Sequence, residues 1–170
     1  MMNFQVDIRP KNHHTSPYKL DPYHQPDICC TIPVTDQTPQ NRVTILVADD
    51  DPDVVRLMRL VLEDADHTVL TALDGECALA TCKRYKNPVH LLIADIVLTG
   101  MPGTELAQRL YTEYPALSVI FITGYAFEQV AADIAPVQHA MLLMKPIRIG
   151  ALARDVAKVL VGREKTDNLL

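Results

Sequence analysis

Short runs rich in apolar residues recur along most of this chain. They alternate with longer segments of mixed polar and apolar residues, and this alternation limits the classes of fold that are possible. The runs are residues 43–48, 68–72, 90–95, 118–123 and 140–145. Runs of this length are typical of strands that are buried on both faces of a parallel sheet. Five strands that alternate with helices predict an α/β fold, in which helices cover both faces of a doubly wound parallel sheet through right-handed crossovers.

The segments between the runs carry apolar residues at helical spacing. The first segment begins with Pro52, which suits the first turn of a helix, after Asp51, which is a good N-cap. We also predict a short helix over residues 127–135 and a last helix that Gly162 ends. The apolar positions that predict the other helical faces are Val55, Met58, Leu62 and Ala65, then Ala78, Cys82 and Tyr85, then Leu106, Leu110 and Tyr114, and finally Ile149, Leu152, Val156 and Val159.

Composition and charge argue against several classes of function. The chain of 170 residues is 48% hydrophobic and carries a formal net charge of −5. Domains that bind nucleic acid usually have a basic patch, so we expect no nucleic-acid partner. No apolar run reaches the length of about 18 residues that a membrane span needs, and the N-terminus lacks the apolar core of a signal peptide. We therefore expect a cytoplasmic protein with reduced cysteines and no membrane partner.

Residues 1–41 differ in composition from everything that follows. They hold six of the twelve prolines and no glycine, and their apolar residues follow no period. Such a segment cannot bury enough surface to offset the entropy of ordering it. We predict a disordered proline-rich arm over residues 1–41, one domain over residues 42–162 and a C-terminal tail over residues 163–170. Two alternatives stay open for the arm, namely a docking role with Tyr18 and Tyr23 as anchors and a metal site of Cys29 and Cys30 with nearby histidines.

Polar side chains stand at the ends of four predicted strands. Asp49 and Asp50 follow the first strand, Asp95 ends the third, Thr123 ends the fourth and Lys145 ends the fifth. The carboxyl ends of parallel strands lie at one edge of the sheet, where such folds place their chemistry. Three carboxylates would repel one another there, and a hard cation such as Mg²⁺ would relieve the repulsion. Taken singly, each residue would be read as a cap or a turn former, but together they indicate transfer of a phosphoryl group to a carboxylate.

With these motifs, residues 43–162 resemble the receiver domain of two-component response regulators. The matching motifs are ILVADDDP at residues 45–52, Asp95 with LTGMPG at residues 98–103, ITGY at residues 122–125, and Lys145 with the proline after it. The intervals of 45 residues from Asp50 to Asp95, 28 from Asp95 to Thr123 and 22 from Thr123 to Lys145 also suit the family.

The resemblance implies a flavodoxin-like (βα)5 fold with strand order 2-1-3-4-5, when the five predicted strands are numbered along the chain. It makes Asp95 the acceptor of a phosphoryl group from a histidine kinase or a histidine phosphotransfer protein. Thr123 and Lys145 match the pair that contacts the phosphoryl group, and a cis bond is implied between Lys145 and Pro146. The Mg²⁺ ligands that the resemblance implies are Asp49, Asp50, Asp95 and the main-chain carbonyl of Val97.

The chain departs from the family's pattern at three positions. Thr99 stands where proline is common, and Pro102 stands where a small polar residue or Asp is common. Both changes remodel the loop after Asp95 without touching an expected ligand. Leu142 stands where a switch aromatic is common, three residues before the lysine, and Tyr125 is the nearest aromatic residue that could respond instead.

The predicted function is that of a stand-alone response regulator in a phosphorelay, and not of an enzyme beyond Mg²⁺-dependent self-phosphorylation from donors and slow autodephosphorylation. Its output would be a contact with an unknown protein through the fourth helix, the fifth strand and the fifth helix. The alternatives are a phosphate shuttle or sink and a receiver cut from a hybrid histidine kinase. A hydrolase with an aspartyl-phosphate intermediate would want a second Asp two residues after the acceptor, where Val97 stands.

Overall fold

A computed structural model of the chain describes residues 30–31, 42–85, 87–137 and 140–167. The strands are β1 (Cys30–Thr31), β2 (Thr44–Ala48), β3 (Thr68–Ala72), β4 (Leu91–Asp95), β5 (Ser118–Thr123) and β6 (Ala140–Met144), and the helices are α1 (Pro52–Asp64), α2 (Gly75–Arg84), α3 (Gly103–Glu113), α4 (Phe127–Ile134) and α5 (Ile149–Asp167). Each predicted strand and helix of residues 42–162 therefore exists, and the ends differ by a residue or so except at the C-terminal end of the last helix. Among the described helices, none is long and apolar enough to cross a lipid bilayer.

The strands form one sheet in the order β1-β3-β2-β4-β5-β6. The five strands β2 to β6 pair in parallel. Numbered along the chain without β1, they have the order 2-1-3-4-5, so the predicted flavodoxin-like fold is confirmed. Such an order reverses between β2 and β4, and this reversal is where open α/β sheets bind their ligands.

One strand was not predicted. Cys30 and Thr31 pair antiparallel with Ala72 and Thr71 at the outer edge of β3. The arm predicted over residues 1–41 was expected to be largely disordered and partly extended, and these two residues are its described extended part. The rest of the arm lies outside the described residues, and with it Tyr18, Tyr23 and the histidines of the alternative metal site.

Alternate residues of the central strands divide the interior into two layers. On one face, Leu46 and Leu92 pack in a cluster with residues of α2, α3 and α4. On the other face, Ile45 and Ile93 pack in a cluster with residues of α1 and α5. Burying an aliphatic side chain of this size stabilises the folded state by about 1.5–3 kcal/mol. The buried strands therefore fix the positions of the residues that follow them at the carboxyl edge of the sheet.

The helix boundaries follow local chemistry with one exception. The side chain of Asp51 caps α1 by accepting hydrogen bonds from the N–H groups of Asp53 and Val54, as predicted. The predicted end of the last helix at Gly162 is wrong, because α5 continues to Asp167 and takes in most of the predicted tail. A helical glycine costs only about 1 kcal/mol relative to alanine, and the Arg, Glu and Lys that follow Gly162 have high helix propensity.

Candidate functional site

The ends of the central strands bring the predicted acidic residues together. Ala48 of β2 stands beside Ala94 of β4, so the next residues, Asp49 and Asp95, lie side by side at the carboxyl edge of the sheet. Asp49 is completely buried, Asp95 is 7% exposed, and Asp50 is exposed. One carboxylate oxygen from each of these three residues lies within 4.8 Å of the other two.

The carboxylate of Asp49 is poorly satisfied by the protein alone. Its Oδ1 accepts a hydrogen bond of 3.0 Å from the N–H of Asp51. Its Oδ2 is buried and has no hydrogen-bond partner among the described residues. Burial raises the pKa of the Asp49 carboxyl, although the hydrogen bond from Asp51 and the nearby Lys145 oppose the rise. A buried oxygen without a hydrogen bond beside two other carboxylates is suited to a cation.

Lys145 places its ammonium group between the two buried carboxylates. Its Nζ donates a hydrogen bond of 2.6 Å to Oδ2 of Asp95 and lies 3.0 Å from Oδ2 of Asp49. The contact with Asp49 is thus an ion pair without hydrogen-bond geometry. Burial lowers the pKa of Lys145, but the hydrogen bond to Asp95 and the negative charges of Asp49 and Asp95 outweigh burial, and the pKa is raised. Lys145 therefore stays charged at neutral pH, and its positively charged ammonium group lies next to Oδ2 of Asp95.

The residues fit a magnesium ion. Mg²⁺ prefers oxygen ligands and keeps several of its waters, so one or two carboxylates on an open side are enough to hold it. Asp49, Asp50 and Asp95 supply such oxygens, and the exposed position of Asp50 leaves room for water. A single ammonium group cannot balance three carboxylates, which leaves excess negative charge for a cation to neutralise.

Thr123 lies in the same edge of the sheet, on the strand next to Asp95. Its side chain is 1% exposed. The hydroxyl oxygen accepts a hydrogen bond of 2.9 Å from the N–H of Tyr125, and the carbonyl accepts one of 2.7 Å from the N–H of Lys145. The hydroxyl keeps its own proton to donate. The side chain of Tyr125 is 53% exposed, so it points away from the core.

The loop after Asp95 folds back on the carboxylate of this residue. The N–H of Val97 donates a hydrogen bond of 2.8 Å to Oδ1 of Asp95, and the side chain of Val97 is 55% exposed. Gly100 has a φ of +79°, a left-handed conformation that favours glycine. Thr99 and Pro102 are both exposed, in agreement with the expectation that they shape the loop and do not enter the site. The peptide bond between Lys145 and Pro146 is cis, as the resemblance implied.

Sequence reasoning missed the close approach of one residue to Asp95, namely Gly103 at the start of α3. A Cβ atom at this position would lie 2.1 Å from the carbonyl oxygen of Asp95, far inside van der Waals contact. The N–H of Gly103 also donates a hydrogen bond of 3.0 Å to the carbonyl of Ile96. The motif included this glycine, but only the packing of α3 against the end of β4 explains why no side chain fits.

The structure thus brings four of the predicted site residues into direct contact or close approach: Asp49, Asp50, Asp95 and Lys145. The main chain of Lys145 also links Thr123 to this group, and the N–H of Val97 donates a hydrogen bond to Asp95. Leu142 is half-buried in β6 beside Phe121 of β5, so no aromatic side chain occupies that position.

Comparison with known proteins agrees with this geometry. Residues 45–157 match the response regulator receiver domain. The response regulator receiver protein CpdR of Brucella abortus is 34% identical over 118 residues, which are 69% of this chain and 97% of CpdR. The sensor kinase CckA of the same organism is 30% identical over 125 residues, which are 73% of this chain but only 13% of CckA.

A solved structure shows the same fold. The CheY-like receiver domain protein from Methanospirillum hungatei superimposes with a TM-score of 0.66 at 27% sequence identity, over 74% of this chain and 98% of that protein. Its fold and the matched residues 45–157 include every strand end that contributes to the acidic site. The chain belongs to the response regulator receiver domain family, whose members act in two-component and phosphorelay signalling.

Proposed function

We propose that this protein accepts a phosphoryl group on Asp95 from a histidine kinase or a histidine phosphotransfer protein and signals through protein contacts. The observation that carries the proposal is the hydrogen bond of 2.6 Å from Lys145 to Asp95, inside a cluster of three carboxylates. A buried carboxylate that faces a fixed ammonium group is prepared both to attack phosphorus and to hold the charge of the product. Membership of the receiver family supports the proposal, because phosphorylation on Asp is general there.

In the proposed reaction, an oxygen of Asp95 forms a bond to phosphorus while the bond from phosphorus to the donor's histidine nitrogen breaks. Lys145 already contacts Oδ2 of Asp95 and would follow the phosphoryl oxygens with its charge. Thr123 would donate its free hydroxyl proton to another of these oxygens. Mg²⁺, held by Asp49, Asp50, Asp95 and the main-chain carbonyl of Val97, would neutralise charge that develops on the transferred group.

The proposed output depends on the hydrogen bond between Thr123 and Tyr125. When Thr123 turns toward the phosphoryl group, it gives up the hydrogen bond from the N–H of Tyr125, and the loop between β5 and α4 is released. This loop adjoins the surface of α4, β6 and α5, where we place the contact with the output protein. Because Leu142 replaces the usual aromatic, we propose that Tyr125 carries the response.

Several alternatives concern what the receiver is connected to. The match to nearly all of CpdR, which is named a receiver protein, supports a receiver that signals through contacts with other proteins. The similarity to part of the sensor kinase CckA supports the second candidate, a receiver from a hybrid kinase. A phosphate shuttle or sink is the other alternative. We place the receiver at residues 42–162, around the matched residues 45–157. A hydrolase is disfavoured, since exposed Val97 offers no acid beside the acceptor.

The test is phosphorylation by a small donor. With acetyl phosphate and Mg²⁺, the protein is expected to take up one acid-stable, base-labile phosphate, and chelation of Mg²⁺ should prevent it. Asp95→Asn keeps the shape of the side chain but removes the nucleophile, and it should abolish labelling. Asp64→Asn, at an exposed position at the end of α1, is the matched control and should be labelled normally. Equal labelling of the Asp95→Asn variant would contradict the proposal.

A further inference from the structure

The direction of β1 decides at which edge of the sheet the preceding chain joins it. Cys30 stands opposite Ala72 and Thr31 opposite Thr71, in an antiparallel pair. Ala72 is the last residue of β3, and its carbonyl accepts a hydrogen bond from the N–H of Asp49. Since β1 runs opposite to the parallel strands, its first residue lies at their carboxyl edge. Residues 1–29 therefore join the sheet at the edge that carries the acidic site.

The carboxyl edge beside β1 holds more negative charge than the three carboxylates of the site. Asp53 and Glu76 lie in the first turns of α1 and α2, where a negative charge stabilises the start of a helix without being neutralised. Inside the cluster, Lys145 contacts two carboxylates, and the buried Oδ2 of Asp49 has no hydrogen-bond partner among the described residues. The exposed carboxylates of this edge are those of Asp50, Asp51, Asp53 and Glu76.

The chain before β1 carries the complementary charge in one stretch, residues 8–20, which we call the basic segment. It contains Arg9, Lys11 and Lys19 and neither Asp nor Glu. Lys19 precedes Cys30 by 11 residues, and an extended chain of that length spans up to about 36 Å. Three strand spacings separate β1 from β4, which amounts to about 14 Å. The basic segment is therefore long enough to reach every carboxylate of the edge.

We propose that the basic segment docks on the acidic carboxyl edge of its own chain and competes there with Mg²⁺. A pair of exposed charges contributes no more than about 1 kcal/mol. However, the pairing of β1 with β3 and its contact with α2 tether the segment beside the edge, and such tethers give local concentrations of about 1 mM or more. The segment and the metal ion neutralise the same carboxylates, so each must weaken binding of the other.

The contact itself is tested by zero-length cross-linking of the full-length chain. A carbodiimide joins an amine to a carboxylate only where the two groups meet. Lys11 and Lys19 should be joined to the carboxylates at positions 50, 51, 53 and 76, and an excess of Mg²⁺ should suppress these products. The native chain is mixed with an equal amount of ¹⁵N-labelled chain, so that mass spectrometry of the peptides separates links within one chain from links between two chains.

The competition is tested by the affinity for Mg²⁺, measured by titration calorimetry at low salt. The double variant Lys11→Gln, Lys19→Gln should bind Mg²⁺ about fivefold more tightly than the native chain, the lower end of typical coupling between two ligands. At about 1 M salt, where the Debye length is about 3 Å, the difference should disappear. Lys11→Arg, Lys19→Arg keeps both charges and should bind Mg²⁺ like the native chain.

Lys83→Gln, Arg84→Gln is the matched control for net charge. It removes two exposed cations from the last turn of α2, away from the carboxyl edge, and should leave the affinity for Mg²⁺ unchanged. Both readouts leave out phosphorylation, so the inference takes the cluster as a Mg²⁺ site but does not depend on Asp95 as an acceptor. Cross-links that are absent, that join two chains or that lie elsewhere would overturn docking. An unchanged affinity in the Lys11→Gln, Lys19→Gln variant, or an equal rise in the control, would overturn competition.

Discussion

The residues at the carboxyl edge of the sheet differ in how far their contacts could be predicted from the sequence. Asp51 could be predicted as a helix cap because it precedes a proline and an apolar periodicity, which are local signals. Asp95 and Lys145 could be predicted because each ends its own strand. Gly103 could not be explained in this way, since its closeness to the carbonyl of Asp95 arises from how α3 packs on β4, which no local pattern contains.

Gly103 gives the first prediction. Gly103→Ala should lower the free energy of unfolding by about 1–3 kcal/mol, the usual cost of an added methyl group in a packed site. It should also slow phosphorylation by acetyl phosphate at temperatures where the variant is fully folded, because the backbone of Asp95 must move. Gly150→Ala is the control, since a Cβ there meets no atom within 4 Å. The two measurements are thermal unfolding and the rate of labelling, and an unchanged rate would show that the close approach does not position the acceptor.

Val97 and Tyr125 give the second prediction, which concerns how long the phosphate lasts. Both residues are more than half exposed, and they lie in the loops that follow β4 and β5. If they shield phosphorus from water, Val97→Asn and Tyr125→Ala should each speed loss of phosphate, with about a tenfold change for every 1.4 kcal/mol of barrier. The affinity for Mg²⁺ should change little. The measurement is decay of phosphate after the donor is removed, and a double variant that decays no faster than the native protein excludes shielding.

Segments of the chain differ in how much of their structure the sequence determines. The strands β2 to β6 could be predicted to within a residue because short runs rich in apolar and β-branched residues, which alternate with segments of helical periodicity, have few alternatives. The two residues of β1 could not, since a pair of residues has no periodicity and their pairing with β3 is a distant contact. The end of α5 was missed because Gly162 was interpreted as a helix end. The helix continues to Asp167, since the residues after this glycine favour helix.

Deletion of residues 1–41 gives the third prediction. The clusters that pack the sheet are built from residues of the receiver, so the shortened chain should fold cooperatively and Asp95 should still be phosphorylated. Loss of the β1 pairing should cost no more than about 0.5–1.5 kcal/mol, the net value of a hydrogen bond. The measurements are thermal unfolding and labelling by acetyl phosphate. A chain that no longer unfolds cooperatively would show that the arm is part of the core.

At the scale of the whole molecule, the position of the acidic site follows from one topological rule. Strands that alternate with helices predict a parallel sheet, and a parallel sheet brings all carboxyl ends to one edge, so the convergence of Asp49, Asp95 and Lys145 could be predicted before any contact was known. The direction of individual hydrogen bonds could not, because it depends on side-chain rotamers. The engagement of the Thr123 hydroxyl by the N–H of Tyr125 is an example.

The accumulated negative charge at this edge gives the fourth prediction. Mg²⁺ that binds only the folded state should stabilise the whole fold by about 1.4 kcal/mol at roughly ten times its Kd. Asp50→Ala should weaken this response and block phosphorylation, yet leave the metal-free protein as stable as before or more stable, because one of three clustered carboxylates is gone. Asp64→Ala, far from the cluster, should respond to Mg²⁺ like the native chain. A large drop in the Tm of metal-free Asp50→Ala would instead identify Asp50 as a structural cap.

The central claim is that Asp95 carries the phosphate, and mapping the modified residue tests it most directly. The native protein is phosphorylated with acetyl phosphate and Mg²⁺, the acyl phosphate is reduced with borohydride to homoserine, and the altered residue is located by mass spectrometry of the peptides. The site described above predicts homoserine at position 95, where Lys145 contacts the carboxylate, and none at positions 49 and 50. Homoserine at position 49 or 50 with an unaltered Asp95 would contradict the claim.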